Sequence, residues 1–195
     1  MAKIKLNAAS GGGSVSIQAP SSSSNDRVYT LPDSAHISTL AGILEFDSWY
    51  HTVNYTGGTG VLSTNLARNN FAAAASQIGD GMSQSSGVFT FPRTGKYLVI
   101  FNGQFALNGS TNIVVLTQVT TNNGASFQNH ARALDGNNGS GERSGSGASF
   151  AFIDVTDTSQ VKVRFNIQVI GANDQISGST SFQTTTFTFI RIGDT

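Results

Sequence analysis

Residues 161–170 alternate without a break: Val161, Val163, Phe165, Ile167 and Val169 fall on one parity, and Lys162, Arg164, Asn166 and Gln168 on the other. A period of two puts those sets on opposite faces of a β-strand, so this segment reads as an antiparallel strand with one face in a core and one in water. Four further segments are apolar at both parities and rich in β-branched and aromatic residues: 97–101 (YLVIF), 113–116 (IVVL), 150–155 (FAFIDV) and 187–192 (FTFIRI). Such strands need cover on both faces. In a two-sheet sandwich the opposite sheet covers the inner face, and another subunit has to cover the outer one. A monomer with that surface bare would be a solubility hazard, so oligomerisation is expected.

Between the strands stand residues 57–60 (GGTG), 121–124 (TNNG), 135–147 (DGNNGSGERSGSG), 171–174 (GAND) and 177–179 (SGS). Asn-Gly and Asp-Gly supply the positive φ of tight turns, so these segments read as connections, with the glycines kept out of the strands. Strands punctuated in this way, with Pro92 the one proline after residue 41, spell an all-β sandwich or jelly roll rather than a βαβ fold. Residues 69–77 (NNFAAAASQ) are the one candidate for helix, capped by Asn69 or Asn70; a loop carrying a single turn is an equal alternative.

The N-terminal segment has a different character. Residues 8–24 (AASGGGSVSIQAPSSSS) surround one short alternation, Val15-Ser16-Ile17, with Ser and Gly, and cannot bury enough apolar surface to offset the ordering of their own backbone. Residues 27–32 (RVYTLP) alternate again until Pro32 ends the run. Neither strand has an evident partner nearby. Residues 1–41 are therefore expected to form an extended attachment or stem segment, ordered by sister copies or a host assembly, or else a flexible linker; residues 42–195 form the folded domain.

Charge and motif content exclude several functions. Lys and Arg number 11, Asp and Glu 11, and cysteine is absent. A chain without surplus positive charge gains little from counterion release, so neither nucleic acid nor an anionic membrane is an expected partner. No apolar run is long enough to insert in a membrane as a helix. Without cysteine there is no thiolate chemistry and no cysteine-ligated metal. His36, His51 and His130 stand apart and read as solvated or capping residues, and no nucleophile elbow, phosphate loop or dinucleotide fingerprint occurs. Asp154 and Asp157 are spaced for a calcium site or a carboxylate pair, but an Asx turn explains them more simply. Trp49 and Tyr50 suit core packing better than a sugar-stacking platform. No catalytic residue, metal ligand or cofactor is expected. The lone charges Glu142 and Arg143 in the Gly/Ser connection, together with Asn122, Asn123, Asn129, Asn137 and Asn138, are expected on partner-facing loops.

Residues 87–101 (GVFTFPRTGKYLVIF) are more specific. Gly87-x-Phe89-x-x-Pro92 followed by Gly95-x-Tyr97 and a core strand resembles the jelly-roll superfamily of complement globular heads and tumour necrosis factors, and residues 179–195 (STSFQTTTFTFIRIGDT) are similar to its last strands. The resemblance spans about residues 42–195. It implies a ten-stranded jelly roll, a threefold homotrimer and a role in binding rather than catalysis, with Tyr97, Val99, Phe101, Phe187 and Phe189 in the core or between subunits. Residues 6–33 (LNAASGGGSVSIQAPSSSSNDRVYTLPD) are in turn similar to segments of structural proteins of tailed bacteriophages, particularly those infecting cyanobacteria. That likeness implies a virion protein made in the host cytoplasm: a trimeric tail, neck or head fibre. Its N-terminal arm would join other virion proteins, and its jelly roll would bind a host surface glycan. A trimeric capsid-decorating cement protein is the alternative, and a virion-associated glycan-processing enzyme a more distant one.

Overall fold

The computed structural model describes residues 3–7, 10–12, 14–18, 43–72, 76–108, 111–136 and 141–195. The chain divides into two units, Met1–Leu40 and Ala41–Thr195.

In the first unit, β1 (Lys3–Asn7) pairs antiparallel with β2 (Ser14–Gln18), with Lys3 opposite Gln18 and Asn7 opposite Ser14. Sequence pattern alone leaves Val15 and Ile17 unpartnered; the partner is the alternating run Lys-Ile-Lys-Leu-Asn just upstream. The connection passes through Gly11 (φ 85°) and Gly12 (φ 70°), left-handed conformations that glycine adopts without a steric penalty. The strand expected at residues 27–32 lies outside the described residues.

The second unit is an all-β jelly roll. Its strands are β3 (Phe46–His51), β4 (Gly60–Val61), β5 (Leu66–Arg68), β6 (Gln77–Ile78), β7 (Ser83–Ser85), β8 (Val88–Thr90), β9 (Gly95–Asn108), β10 (Asn112–Thr120), β11 (Gln128–Gly136), β12 (Glu142–Val155), β13 (Lys162–Val169), β14 (Gln175–Ile176) and β15 (Thr186–Gly193). One sheet runs β11-β10-β13-β8-β7, with β4 beside β13; the other runs β12-β9-β15-β3-β5, with β14 beside β9 and β6 beside β3. All of these pairings are antiparallel. Against the ten strands expected, thirteen are described: seven of six or more residues and six of two or three. No described residue is helical, and the described part of residues 69–77 is irregular until Gln77 enters β6. The amide of Phe71 donates to Asn69 Oδ1 at 3.3 Å, so Asn69 caps a turn of the loop.

The inward parity of the long strands fills the space between the sheets with aromatic rings. Phe165 of β13 lies 4.7 Å from Phe187, 5.7 Å from Phe101, 6.0 Å from Phe89 and 6.3 Å from Phe189, centroid to centroid. Tyr97, Val99, Phe101, Phe187 and Phe189 are all buried in this one chain's core. The Tyr97 hydroxyl donates to the carbonyl of Arg93 at 3.0 Å, and its ring packs 4.7 Å from Phe91.

Two buried carboxylates anchor the segment leading into this core. Asp47 accepts from Trp49 Nε1 (2.8 Å), Arg68 Nε (2.9 Å) and the Met82 amide (2.6 Å). Glu45 accepts from the Asp80 amide at 3.0 Å and lies 2.6 Å from Arg93 Nε. A carboxylate is tolerated at such depth only when its oxygens are met by donors and a cation, as these are.

Glycine has a second use here that its turn-forming role conceals. Gly145 and Gly147 lie inside β12 rather than in a connection. A Cβ on Gly147 would sit 2.9 Å from Phe105 Cε2 and 3.0 Å from the backbone N and O of Leu134, and one on Gly145 would overlap the Asp135 carboxylate. Bare backbone lets β12 of one sheet close onto β11 of the other. His51, expected in solvent or at a cap, is fully buried, its Nδ1 2.5 Å from the Val53 carbonyl.

Phe165→Ala should lower the unfolding free energy by about 3–5 kcal/mol, measured by urea denaturation at fixed protein concentration; a loss under ~1 kcal/mol would show that the aromatic cluster is not the core. Burial lowers the His51 pKa below 6.5, outweighing the upward pull of the Val53 and Thr64 carbonyls. The unfolded chain therefore binds this proton more readily, and the stability contributed by neutral His51 is complete above about pH 6.5 and lost as pH falls below it. The stability gap between wild type and His51→Gln should accordingly shrink from pH 7.5 to pH 5; a constant gap would contradict this.

Candidate functional site

The outward parity of the β12-β9-β15-β3 sheet forms rows that cross four strands. Phe152, Leu98, Ile190 and Phe46 make one row, and Phe150, Ile100, Thr188 and Ser48 the next. Phe152 is 70% exposed and Phe150 60%; β12 is the edge strand of its sheet, and no described strand lies beyond it to shield the rings. Ile43 and Leu44, just before β3, and Ile192, near the end of β15, are exposed at the same end of the sheet. The two-sided segments thus resolve differently. Outward residues from segments 97–101, 150–155 and 187–192 gather into one patch. In segment 113–116 the outward Val114 and Leu116 belong to the other sheet and are already 4% and 6% exposed, with Leu134 and Val169 flanking Val114 in register.

Both ends of the patch are polar. Past the Phe152 row, Asp154 lies opposite Lys96, with Oδ2 3.7 Å from Nζ. Past the Phe150 row come Ala148, Asn102 and Thr186, then Ser146 opposite Gln104. There the face opens into a shallow depression of about 410 Å³ lined by Asn102, Gln104, Ser144, Ser146 and Thr184. Half of the face is greasy; the other half carries uncharged hydrogen-bonding groups. Trp49 and Tyr50 offer no sugar platform. Trp49 points inward, 5.5 Å from Phe89, and the Tyr50 ring lies 5.0 Å from Phe71 with its hydroxyl donating to Asn70 Oδ1 at 3.3 Å.

The residues expected on partner-facing loops do not converge. Asn122 is spent on its own loop: its Nδ2 donates to Ser126 Oγ at 2.9 Å, and its Oδ1 accepts from the Ser126 amide at 3.0 Å. Asn123 adopts φ 55° in the same loop. Asn129 stands on β11, accepting from Gln118 Nε2 at 2.8 Å. Glu142 and Arg143 begin β12 and so are strand residues, at the far end of β11 from Asn122, about 25–30 Å away for nine residues of strand. Arg143 turns back to pair with Asp135 at 3.1 Å and to donate to the Gly136 carbonyl. Asn137 and Asn138 lie outside the described residues. Phe150 and Phe152 belong to a segment the sequence marks as two-sided, and their shared parity is the signal that identifies them.

Asp154 and Asp157 part ways too. Asp157 Oδ1 accepts from the Ser159 amide at 2.8 Å and from its hydroxyl at 2.7 Å, an Asx turn whose donors hold the carboxyl below its usual pKa. Among the described residues no group of three His, Asp or Glu side chains is placed to hold a metal ion, and no helix is long and apolar enough to cross a membrane.

No family model and no curated protein matches the sequence. The fold does have neighbours. Eiger TNF from S. frugiperda superposes with a TM-score of 0.55 at 12% identity, over 77% of this chain and 95% of that one. Murine APRIL gives 0.55 at 11% identity for its structure at pH 8.0, and 0.54 at 13% at pH 5.0, each over 76% of this chain and 98% of the other. At such identities the likeness is one of fold, and the fold is the tumour necrosis factor-type jelly roll.

Proposed function

We propose that this protein is a non-enzymatic binding module that works as a homotrimer, with the outward face of β12-β9-β15-β3 turned to the threefold axis. The observation that carries the proposal is the paired exposure of Phe150 and Phe152 beside Leu98, Ile100 and Ile190. Burying a Phe side chain is worth about 1.5–3 kcal/mol, and closed threefold symmetry lets each copy cover the next without leaving a free edge. The Lys96–Asp154 pair on one side and the Asn/Gln/Ser surface on the other would form the rim. Three linked binding faces raise avidity without strong single-site affinity.

The biological setting we propose is the virion of a tailed bacteriophage, assembled in the host cytoplasm. The jelly roll would serve as the distal part of a short fibre and residues 1–41 as its attachment. This part rests on the order of residues 6–33, Gly-Ser-Val-x-Ile-x-Ala-Pro through a Ser tract to Thr-Leu-Pro. Electron microscopy of particles labelled for this chain tests it: label on tail or neck supports a fibre, and label at capsomer junctions rejects it in favour of cement.

For the trimer, light scattering at about 10 µM should give three times 20.4 kDa for the wild type and a single 20.4 kDa species for Phe150→Asp/Phe152→Asp with an unchanged circular dichroism spectrum. A monomeric wild type, or a trimeric double variant, would overturn the proposal.

A further inference from the structure

The formal charge of zero hides a segregation. Among the described residues of the jelly roll, Arg68, Arg93, Lys96, Arg143 and Arg191 all sit in ion pairs. The cations left without a carboxylate partner are Arg132, Lys162 and Arg164, and all three lie on the outward face of the β11-β10-β13 sheet. Their parity fixes this, since Ala133, Val163 and Phe165, which alternate with them, are core residues. Lys162 and Arg164 are one pleat repeat apart on β13, about 7 Å. Arg132 lies two strands over and one row along, because Leu116 pairs with Arg132 and Gln118 with Arg164, which puts it about 12 Å from Arg164. No strand of this sheet turns a carboxylate to that face: its one acidic residue, Asp135, is buried and paired with Arg143. Asp157, in the turn before β13, is held by Ser159.

The hydrogen-bond directions on this face favour an acceptor-rich ligand. Arg164 stacks 3.8 Å over the Phe127 ring and donates through Nε to Gln118 Oε1 at 2.8 Å, and Gln118 Nε2 donates on to Asn129 Oδ1 at 2.8 Å. The chain of bonds uses up these acceptors and leaves donors facing out: the outer guanidinium nitrogens of Arg164, the Asn129 amide, Arg132 and Lys162. Three charges are too few for a nucleic-acid backbone, for which six to ten phosphate contacts are typical. An acidic peptide would bring backbone donors that find little to accept them here. Carboxylates and ring oxygens spaced along a sugar chain meet both requirements.

We propose that the outward face of β11-β10-β13, through Arg132, Lys162 and Arg164, binds an acidic polysaccharide. This deepens the binding-module reading by assigning its ligand face and chemistry. The face lies on the opposite side of the sandwich from the Phe150–Phe152 patch, so self-association leaves it open and presents it in three copies.

The test is binding of the full chain to immobilised alginate, a polyuronate, with dextran and poly-glutamate as comparators and light scattering on the same samples. Wild type should bind alginate, ignore dextran, and lose roughly tenfold or more in affinity between about 50 and 200 mM salt, as about three ion contacts require. Arg132→Gln/Lys162→Gln/Arg164→Gln should lose at least tenfold with its melting curve unchanged. If the triple variant unfolds, Arg132→Gln/Lys162→Gln, which spares the Arg164–Phe127 stack, decides by the same loss. No retention on alginate, equal retention on dextran, tighter binding to poly-glutamate, or undiminished binding by a folded variant would each overturn the proposal. A trimer that ignores alginate sinks this face alone, and a monomer that binds alginate sinks the trimer alone.

Discussion

A pleated strand sorts side chains by parity, and in this chain apolar residues occupy both parities of the same strands. The rest of the structure follows from that. On β9, Tyr97, Val99 and Phe101 go inward and are sealed by Phe165, Phe187 and Phe189, while Leu98 and Ile100 go outward and are only half-buried among the described residues. On β12 the split is sharper: Ala151 and Ile153 are buried, and Phe150 and Phe152, between and beside them, stand in the open. One sandwich can hide only one parity of each sheet.

The two outer faces are consequently different surfaces. The β12-β9-β15-β3 face is greasy at the end where the chain enters and uncharged but polar beyond it. The β11-β10-β13 face is cationic towards Lys162 and Arg164, with Val114 and Leu116 nearly covered by their neighbours and Leu134 and Val169 exposed beside Val114. A face of exposed apolar rings and a face of outward donors suit different partners, which is why we assign self-association to one side and a ligand to the other. The Glu45 and Asp47 network holds the segment at residues 79–82 against the core and takes Arg68 and Arg93 out of the surface charge. Among the described residues of the jelly roll, the basic residues without a carboxylate partner are Arg132, Lys162 and Arg164 of the opposite sheet.

Strand identity was legible in the sequence because alternation is local, and so was the jelly-roll class. Parity groups Tyr97, Val99 and Phe101 on one strand and Phe187 and Phe189 on another but leaves core and subunit interface open; sheet packing puts all five in the core. The sequence does not say which neighbour lies on the other side of each strand. Residues 113–116 look as two-sided as 150–155, yet sheet order puts Val114 and Leu116 under cover and Phe150 and Phe152 at an edge. Glycine carries an ambiguous signal, since it serves tight turns and close backbone approach alike; Gly145 and Gly147 serve the second use inside β12. The basic face was half legible: Lys162 and Arg164 share a parity on the clearest strand in the chain, but Arg132 joins them only through β10, which sequence spacing cannot reveal. The β1–β2 hairpin escaped because five residues of alternation beside a Gly-rich turn carry little weight alone.

The most direct test of the central claim, that copies of the chain cover the outward apolar rows, is hydroxyl-radical footprinting of the native protein at micromolar concentration, read residue by residue. Phe182, 63% exposed in the connection before β15, is the internal standard. Phe150 and Phe152 should be oxidised many times more slowly than Phe182, and their protection should fade on dilution. Oxidation of all three at the same rate, unchanged by concentration, would contradict the account.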